Sequence, residues 1–341
     1  MTLAAPELPE DVRVFIPPVD VPQKPPVDAH ITTLSGQAFA TSWQVKAVLG
    51  RGDVAEVRAR IEACLSEIDI QMSPYRPSSD LCRFNGAGPW QHVTLPPMLL
   101  DVVAKAVEVA QLTEGAFDPC LLEAVETWGF GSRAVDTGLP PEPVRDGLKA
   151  RPSDWRDLVV QDGGLIHPEG LRLDLNAIAK GYAVDCVMDI LRDEFGVVSA
   201  LVEVGGELKG IGARPDSQPW WVEVDQVPGA SGGRNLIALC DHAVAVSGDW
   251  RRYFVHDDKS YAHTIDPLTG CPLDNRMAGA VVMDKDCWRA DALATALMVM
   301  GTDRAMAFCA QHGVAALIMV REVKHIIERL SPRMAAYGTD E

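Results

Sequence analysis

Apolar residues recur along this chain in two rhythms, and the change from one to the other maps its elements. Val54, Val57, Ile61, Cys64, Leu65 and Ile68 fall three and four apart. That spacing predicts a helix capped by Asp53 and running to about Met72. A second helix is expected over 97–112, ending before Glu114-Gly115. By contrast "FATSWQVKAVL", from Phe39, alternates apolar and polar positions like a strand, and the Gly-Arg-Gly-Asp behind it marks a turn. "VVSALVEVGGELKGIG" reads as strand, glycine turn, strand, and "WWVEVDQ", "HAVAVSGDW" and "VAALIMV" add three more strands. "GLIHPEGLRLDLNAIAKGYAVDCVMDILRDEFG" reads as a strand, a tight turn and a helix from about Asn176. Strands grouped in hairpins with helices between them predict an α+β fold, mostly antiparallel sheets with packed helices.

Residues 1–30 hold seven prolines and no apolar periodicity, which predicts an extended arm. The globular part is expected to begin near Thr32, so the chain divides into a 1–30 arm and one domain over 31–341. Residues 133–155 have the character of an insertion that forms a small subdomain.

Composition narrows the function. At 341 residues and 47% hydrophobic, the chain can bury a large core. Its formal net charge of -17 repels phosphate backbones and argues against nucleic acid as a partner. A phosphorylated ligand would then need a metal ion or local Lys and Arg. The eight cysteines contain no CxxC pair and read as scattered reduced thiols. No run of 18 apolar residues predicts a membrane span, and the first residues lack the basic-then-apolar order of a secretion signal. The sequence as written predicts a cytoplasmic location, or a periplasmic one if an export signal was removed.

Six stretches can carry chemistry. In "RADALATALMVMG" Asp291 and Thr295 lie four apart on an otherwise apolar helix, so both face one way. Carboxylate and hydroxyl oxygens suit a hard cation such as Mg²⁺; equally, Asp291 can serve the helix dipole and Thr295 can bond back to its own helix. In "SYAHTIDPLTGCPLD", His263 can act as a general base or can hold the turn by hydrogen bonds. In "RLDLNAIAKGYAVD", Asp174 projects away from Leu173 and Leu175. Lys180, just inside the next helix, suits a phosphate, although plain capping fits as well. "VEVGGELKGIG" precedes a strand rather than a helix, so it is no dinucleotide fingerprint. In "EGAFDPC", Phe117 and Asp118 can stack on and hydrogen-bond a ring, or can be a core residue and a cap. In "QMSPYRPSSDLCRFN", Tyr75 can stack on a ligand, and Arg83 can serve a ligand or an ion pair.

Together, "FATSW", "MSPYRPSSDLCRFN", "GAFDP" with "WGFG", "LDLNAIAKGYAVD", "LVEVGGELKGIG", "SGDWRRYF", "HTIDPLTG" and "ADALATAL" resemble, in order, the ApbE family of FAD:protein FMN transferases. They span about residues 30 to 325. The resemblance implies an enzyme that takes FAD and Mg²⁺, moves FMN onto a Thr or Ser of an acceptor flavoprotein, and releases AMP. It implies an acceptor such as a redox-complex subunit or a flavin reductase. By the same resemblance Asp291, Thr295 and the main-chain oxygen of Ala177 are Mg²⁺ ligands, and His263 is the base. Phe39, Tyr75, Ala116, Phe117, Asp118, Asp174, Lys180 and Ile265 then contact FAD. Hydrolysis of FAD to FMN and AMP, or FAD binding without turnover, are the alternatives. Three positions depart from the family pattern: Phe39 stands for a frequent Met, Ala40 for a Gly, and Ala294 for a Ser beside Thr295. Many members are exported or lipid-anchored, and no lipobox occurs here.

Overall fold

The computed structural model describes residues 12–19, 22–26, 28–50, 52–132, 138–150, 154–228, 233–323 and 325–338. The first eleven residues of the expected arm, and residues 133–137 and 151–153 of the expected insertion, lie outside the described residues.

An eight-stranded sheet organises the molecule. Across it run Ile326–Leu330, Ala315–Arg321, Met277–Asp284, His242–Gly248, Glu207–Ile211, Ala200–Val204, Thr41–Val48 and Ile31–Ala38. Every neighbouring pair in this sheet is antiparallel. Antiparallel strands commonly alternate apolar and polar residues because one face meets water. The middle strands here do not alternate, and the two cores explain why. Ala243, Ala245, Ala280, Val282, Ala316 and Ile318 point into one core with the helices. Val244, Val281, Met283, Leu317 and Met319 point into the other with Phe15 and Trp220. Covered on both faces, "VAALIMV" is apolar throughout.

Helices Val54–Met72, Ala179–Asp189 and Cys287–Met300 pack on the first face. A second sheet lies against the other: Val12–Phe15 pairs parallel with Arg234–Leu239, which pairs antiparallel with Trp220–Glu223. Part of the Pro-rich arm is therefore a docked strand, with Phe15 fully buried. The helix over Pro97–Leu112 forms where its periodicity predicts.

Three local expectations are corrected. Asp53 precedes the first helix, and its carbonyl accepts from Val57 N–H at 2.8 Å, but its side chain accepts no capping hydrogen bond. The helix expected from Asn176 starts at Ala179, after a turn. Phe39 and Ala40 do not open a strand; they are the turn joining Ile31–Ala38 to Thr41–Val48, with φ of 52° and 56°. Positive φ at two non-glycine residues is strained. The eight cysteines are free thiols.

Candidate functional site

The two central helices cap each other. Neither has a side-chain cap of its own. Asp291, on the second helix, accepts a 3.0 Å hydrogen bond at Oδ2 from the Gly181 N–H in the first turn of the other. Asp185, on that helix, accepts a 2.9 Å bond from Trp288 N–H at the start of the Asp291 helix. Each carboxylate thus satisfies an orphan donor and the positive dipole end of its neighbour. Asp185 also holds Lys209 at 2.5 Å. The crossing is close because Gly181 has no Cβ: one placed there would sit 2.4 Å from the Cys287 carbonyl oxygen.

This crossing places Asp291, only 3% exposed, at the floor of a cavity of about 540 Å³. Thr295 is one turn on and also lines the cavity. Its Oγ1 lies 3.1 Å from Ser247 Oγ on the adjacent strand. Lys180 pairs with Glu207, a residue 2% exposed on the strand Glu207–Ile211. Loss of solvent raises the Glu207 carboxyl to about 7, against the pull of Lys180. Burial likewise raises Asp291 above the usual carboxylate range. Burial works to lower Lys180, but Asp291 and Glu207 hold it above its ordinary value. Two carboxylates and one ammonium leave this floor with a negative excess when ionised, and Glu207 Oε2 has no hydrogen-bond partner.

The same cavity is lined by His263. The hairpin Tyr253–His256 with Lys259–Ala262 extends its ladder by one step, as His263 N–H donates to the Arg252 carbonyl at 3.0 Å. His263 Nδ1 lies 3.2 Å from the same oxygen. A carbonyl only accepts, so Nδ1 carries the proton and Nε2 is the basic nitrogen. Burial lowers the imidazole pKa, and the cations Arg252, Lys180 and Arg251 lower it further. The turn-holding and base readings of His263 are thus compatible, one at each nitrogen.

The cavity gathers all twelve residues that the family resemblance nominated. Phe39, Tyr75, Ala116, Phe117 and Asp118 line it together with Asp174, Ala177, Lys180 and Ile265, and so do His263, Asp291 and Thr295. Phe117 is a core residue as well, 2% exposed. Asp118 accepts from Cys120 N–H at 2.8 Å, and Asp174 from Asn176 N–H at 2.9 Å, so both also hold local turns. Desolvation raises the Asp174 carboxyl pKa. Arg83 takes the ion-pair role: it bonds Asp80 at 2.6 Å and does not line the cavity.

Four contributors escaped the sequence reading: Glu207, Ser247, Arg252 and Asp185. Asp185 carries the same signal as Asp291, a carboxylate within an apolar helix. Glu207 is a buried acid directly after the Gly205-Gly206 turn. Ser247 is a hydroxyl supplied from a strand beside Thr295, where Ala294 offers none.

What such a cavity can do is handle a phosphate-linked ligand. Hard oxygen donors and a lysine meet phosphoryl charge at the floor, and a neutral imidazole waits at the wall. Comparison with known proteins makes the assignment specific. Residues 39–318 match the model of the ApbE family. The FAD:protein FMN transferase of Vibrio cholerae O395 is 35% identical over 305 residues, covering 88% of this chain and 89% of that protein. Its namesake in Salmonella typhimurium LT2 is 27% identical over 327 residues, covering 93% and 92%. The apo Pseudomonas stutzeri flavinyl transferase ApbE superposes with a TM-score of 0.84 at 33% identity, covering 91% of this chain and 97% of that one. The Vibrio cholerae flavin transferase ApbE superposes at 0.83, also 33% identical, covering 90% and 99%. This chain belongs to the ApbE family.

Proposed function

We infer that this chain transfers FMN from FAD to a hydroxyl of an acceptor flavoprotein and releases AMP. The observation that carries the reading is the convergence of twelve residues, scattered from Phe39 to Thr295, on one cavity. The names of its relatives carry the same activity.

The residues fit Mg²⁺ by the chemistry of their donors. Asp291, Thr295 and the main-chain oxygen of Ala177 would hold it, an all-oxygen set suited to a hard cation. Among the described residues no group of three or more His, Cys, Asp or Glu could hold a metal, so hydroxyl and main-chain oxygens must complete any site here. The buried carboxylate excess and the orphaned Glu207 oxygen favour a cation at this floor. When bound, Mg²⁺ would neutralise charge on the diphosphate.

The chain's own residues do the rest. Lys180, fixed by Glu207, attracts the diphosphate. Phe39, Tyr75, Phe117 and Ile265 enclose the flavin and adenine rings. His263 Nε2 takes the proton of the acceptor hydroxyl as its oxygen bonds to the FMN-side phosphorus. The bond from that phosphorus to the bridging oxygen breaks, and the oxygen leaves with AMP. The acceptor is of the kind that carries covalent FMN, such as a subunit of a redox complex or a flavin reductase.

AMP release tests this. With FAD, Mg²⁺ and a threonine-bearing acceptor fragment, AMP should rise with acceptor concentration and stay at background when that threonine is valine. AMP formed equally with both fragments would make the chain a FAD hydrolase instead.

A further inference from the structure

Two adjacent arginines follow the strand His242–Gly248, and they are used differently. Both line the cavity, but Arg251 is held in an ion pair with Asp225 at 2.9 Å. Arg252 lines the cavity, and no carboxylate pairs with its guanidinium within 4 Å among the described residues. Its contacts are the Phe130 ring, 5.8 Å from the guanidinium carbon, and the Tyr75 hydroxyl, to which it donates at 3.3 Å. Asp174, on the same cavity, feels its charge without forming an ion pair with it, so in a chain of net charge -17 this guanidinium keeps its hydrogen-bonding fork open to an anion.

Its place identifies which anion. Arg252 and His263 are directly opposite in the extended hairpin ladder, so their side chains leave the same face with Cβ atoms roughly 4.5–5.5 Å apart. The Phe130 ring touches both, its centroid lying 6.4 Å from that of His263. Whatever phosphorus comes within one acceptor oxygen of His263 Nε2 is therefore within reach of the guanidinium.

We propose that Arg252 is a substrate-contact residue that binds the FMN-side phosphoryl group of FAD, giving up Tyr75 as its partner to do so. This rests on the FMN-transfer reading above. As the acceptor O–P bond forms and the bond to the AMP oxygen breaks, the guanidinium stays on the transferring phosphoryl oxygens and offsets their charge. Lys180 serves the same diphosphate from the floor.

The test compares FAD with riboflavin, which has the same ring system and no phosphate. Equilibrium binding of both to the full chain, with Mg²⁺ present, is measured for the wild type, R252Q and R252K. Substitution of the side chain leaves the carbonyl that holds His263 in place. R252Q is expected to bind FAD about tenfold or more weakly while riboflavin affinity changes less than about twofold. R252K is expected to lie between, since it keeps the charge without the fork. Equal weakening of both ligands would mean that Arg252 only props Tyr75, and unchanged FAD affinity would mean that it touches no phosphate; either overturns the proposal. Failure of the wild type to modify any acceptor or release AMP would instead remove the FMN-transfer reading, and the FAD-riboflavin difference would still be measurable.

Discussion

The floor and the mouth of the cavity are built in opposite ways. The floor, with Asp291, Thr295, Lys180 and Glu207, stands on long helices and a central strand, locked by reciprocal capping and by a helix crossing that only Gly181 permits. The mouth, with Phe39, Tyr75, Arg252 and His263, stands on a strained two-residue turn, a Pro-rich loop and the end of a two-stranded hairpin. Tyr75 is 53% exposed where Asp291 is 3%. The difference teaches that buried charge has to be held by the core itself, because an unsupported carboxylate there is costly. Groups that meet an incoming macromolecule can sit on elements the core does not need. Side-chain substitutions of Tyr75, Arg252 and His263 at the mouth should therefore change chemistry alone, and those at the floor should change folding or ligand-linked stability as well.

The largest expected effect is at the mouth. His263→Ala should lower turnover by about 10²–10⁴-fold with the melting temperature unchanged. The wild-type pH profile sharpens the point. The base works unprotonated, and its pKa is held below the ordinary 6.5. The acid limb of kcat/KM should therefore lie below pH 6.5, activity rising as pH increases through it.

At the floor, Asp291→Asn replaces a carboxylate whose ionised form is disfavoured by burial. Without metal its melting temperature at pH 7 should equal or exceed that of the wild type. It should also lose the Mg²⁺-induced stabilisation, about 2.7 kcal/mol at a hundred times the dissociation constant. A thermal scan across a magnesium titration reads both, and a wild-type response would sink the assignment of Asp291.

Gly181→Ala should cost about 1–3 kcal/mol by forcing the two helices apart at Cys287, as chemical denaturation would show. Smallest is Ala40→Gly. Relief of the positive φ should raise stability by up to about 1 kcal/mol. The same change should raise the KM for FAD modestly as Phe39 loosens. A lower melting temperature would show that this turn is not strained.

The floor was largely legible because its chemistry breaks a pattern: a carboxylate and a hydroxyl interrupt an apolar helix at Asp291 and Thr295. The mouth was legible only residue by residue. Nothing in "WRRYF" says that Arg251 is paired and Arg252 is not, since Asp225 lies on a distant segment. Phe39 was placed in a strand because Phe-Ala lacks the Asn-Gly signal of a two-residue hairpin. The strand Val12–Phe15 was hidden by surrounding prolines and by a partner, Arg234–Leu239, that comes far later in the chain. Asp185 and Glu207 were missed because their meaning comes from crossings and pairings that sequence spacing does not record.

One measurement bears most directly on the whole account: the intact mass of a flavoprotein acceptor fragment after incubation with the protein, FAD and Mg²⁺. The account predicts a covalent gain equal to FMN less water, located on a single Thr or Ser and accompanied by one equivalent of AMP. An acceptor of unchanged mass in a reaction that has nonetheless consumed FAD and formed AMP would contradict it.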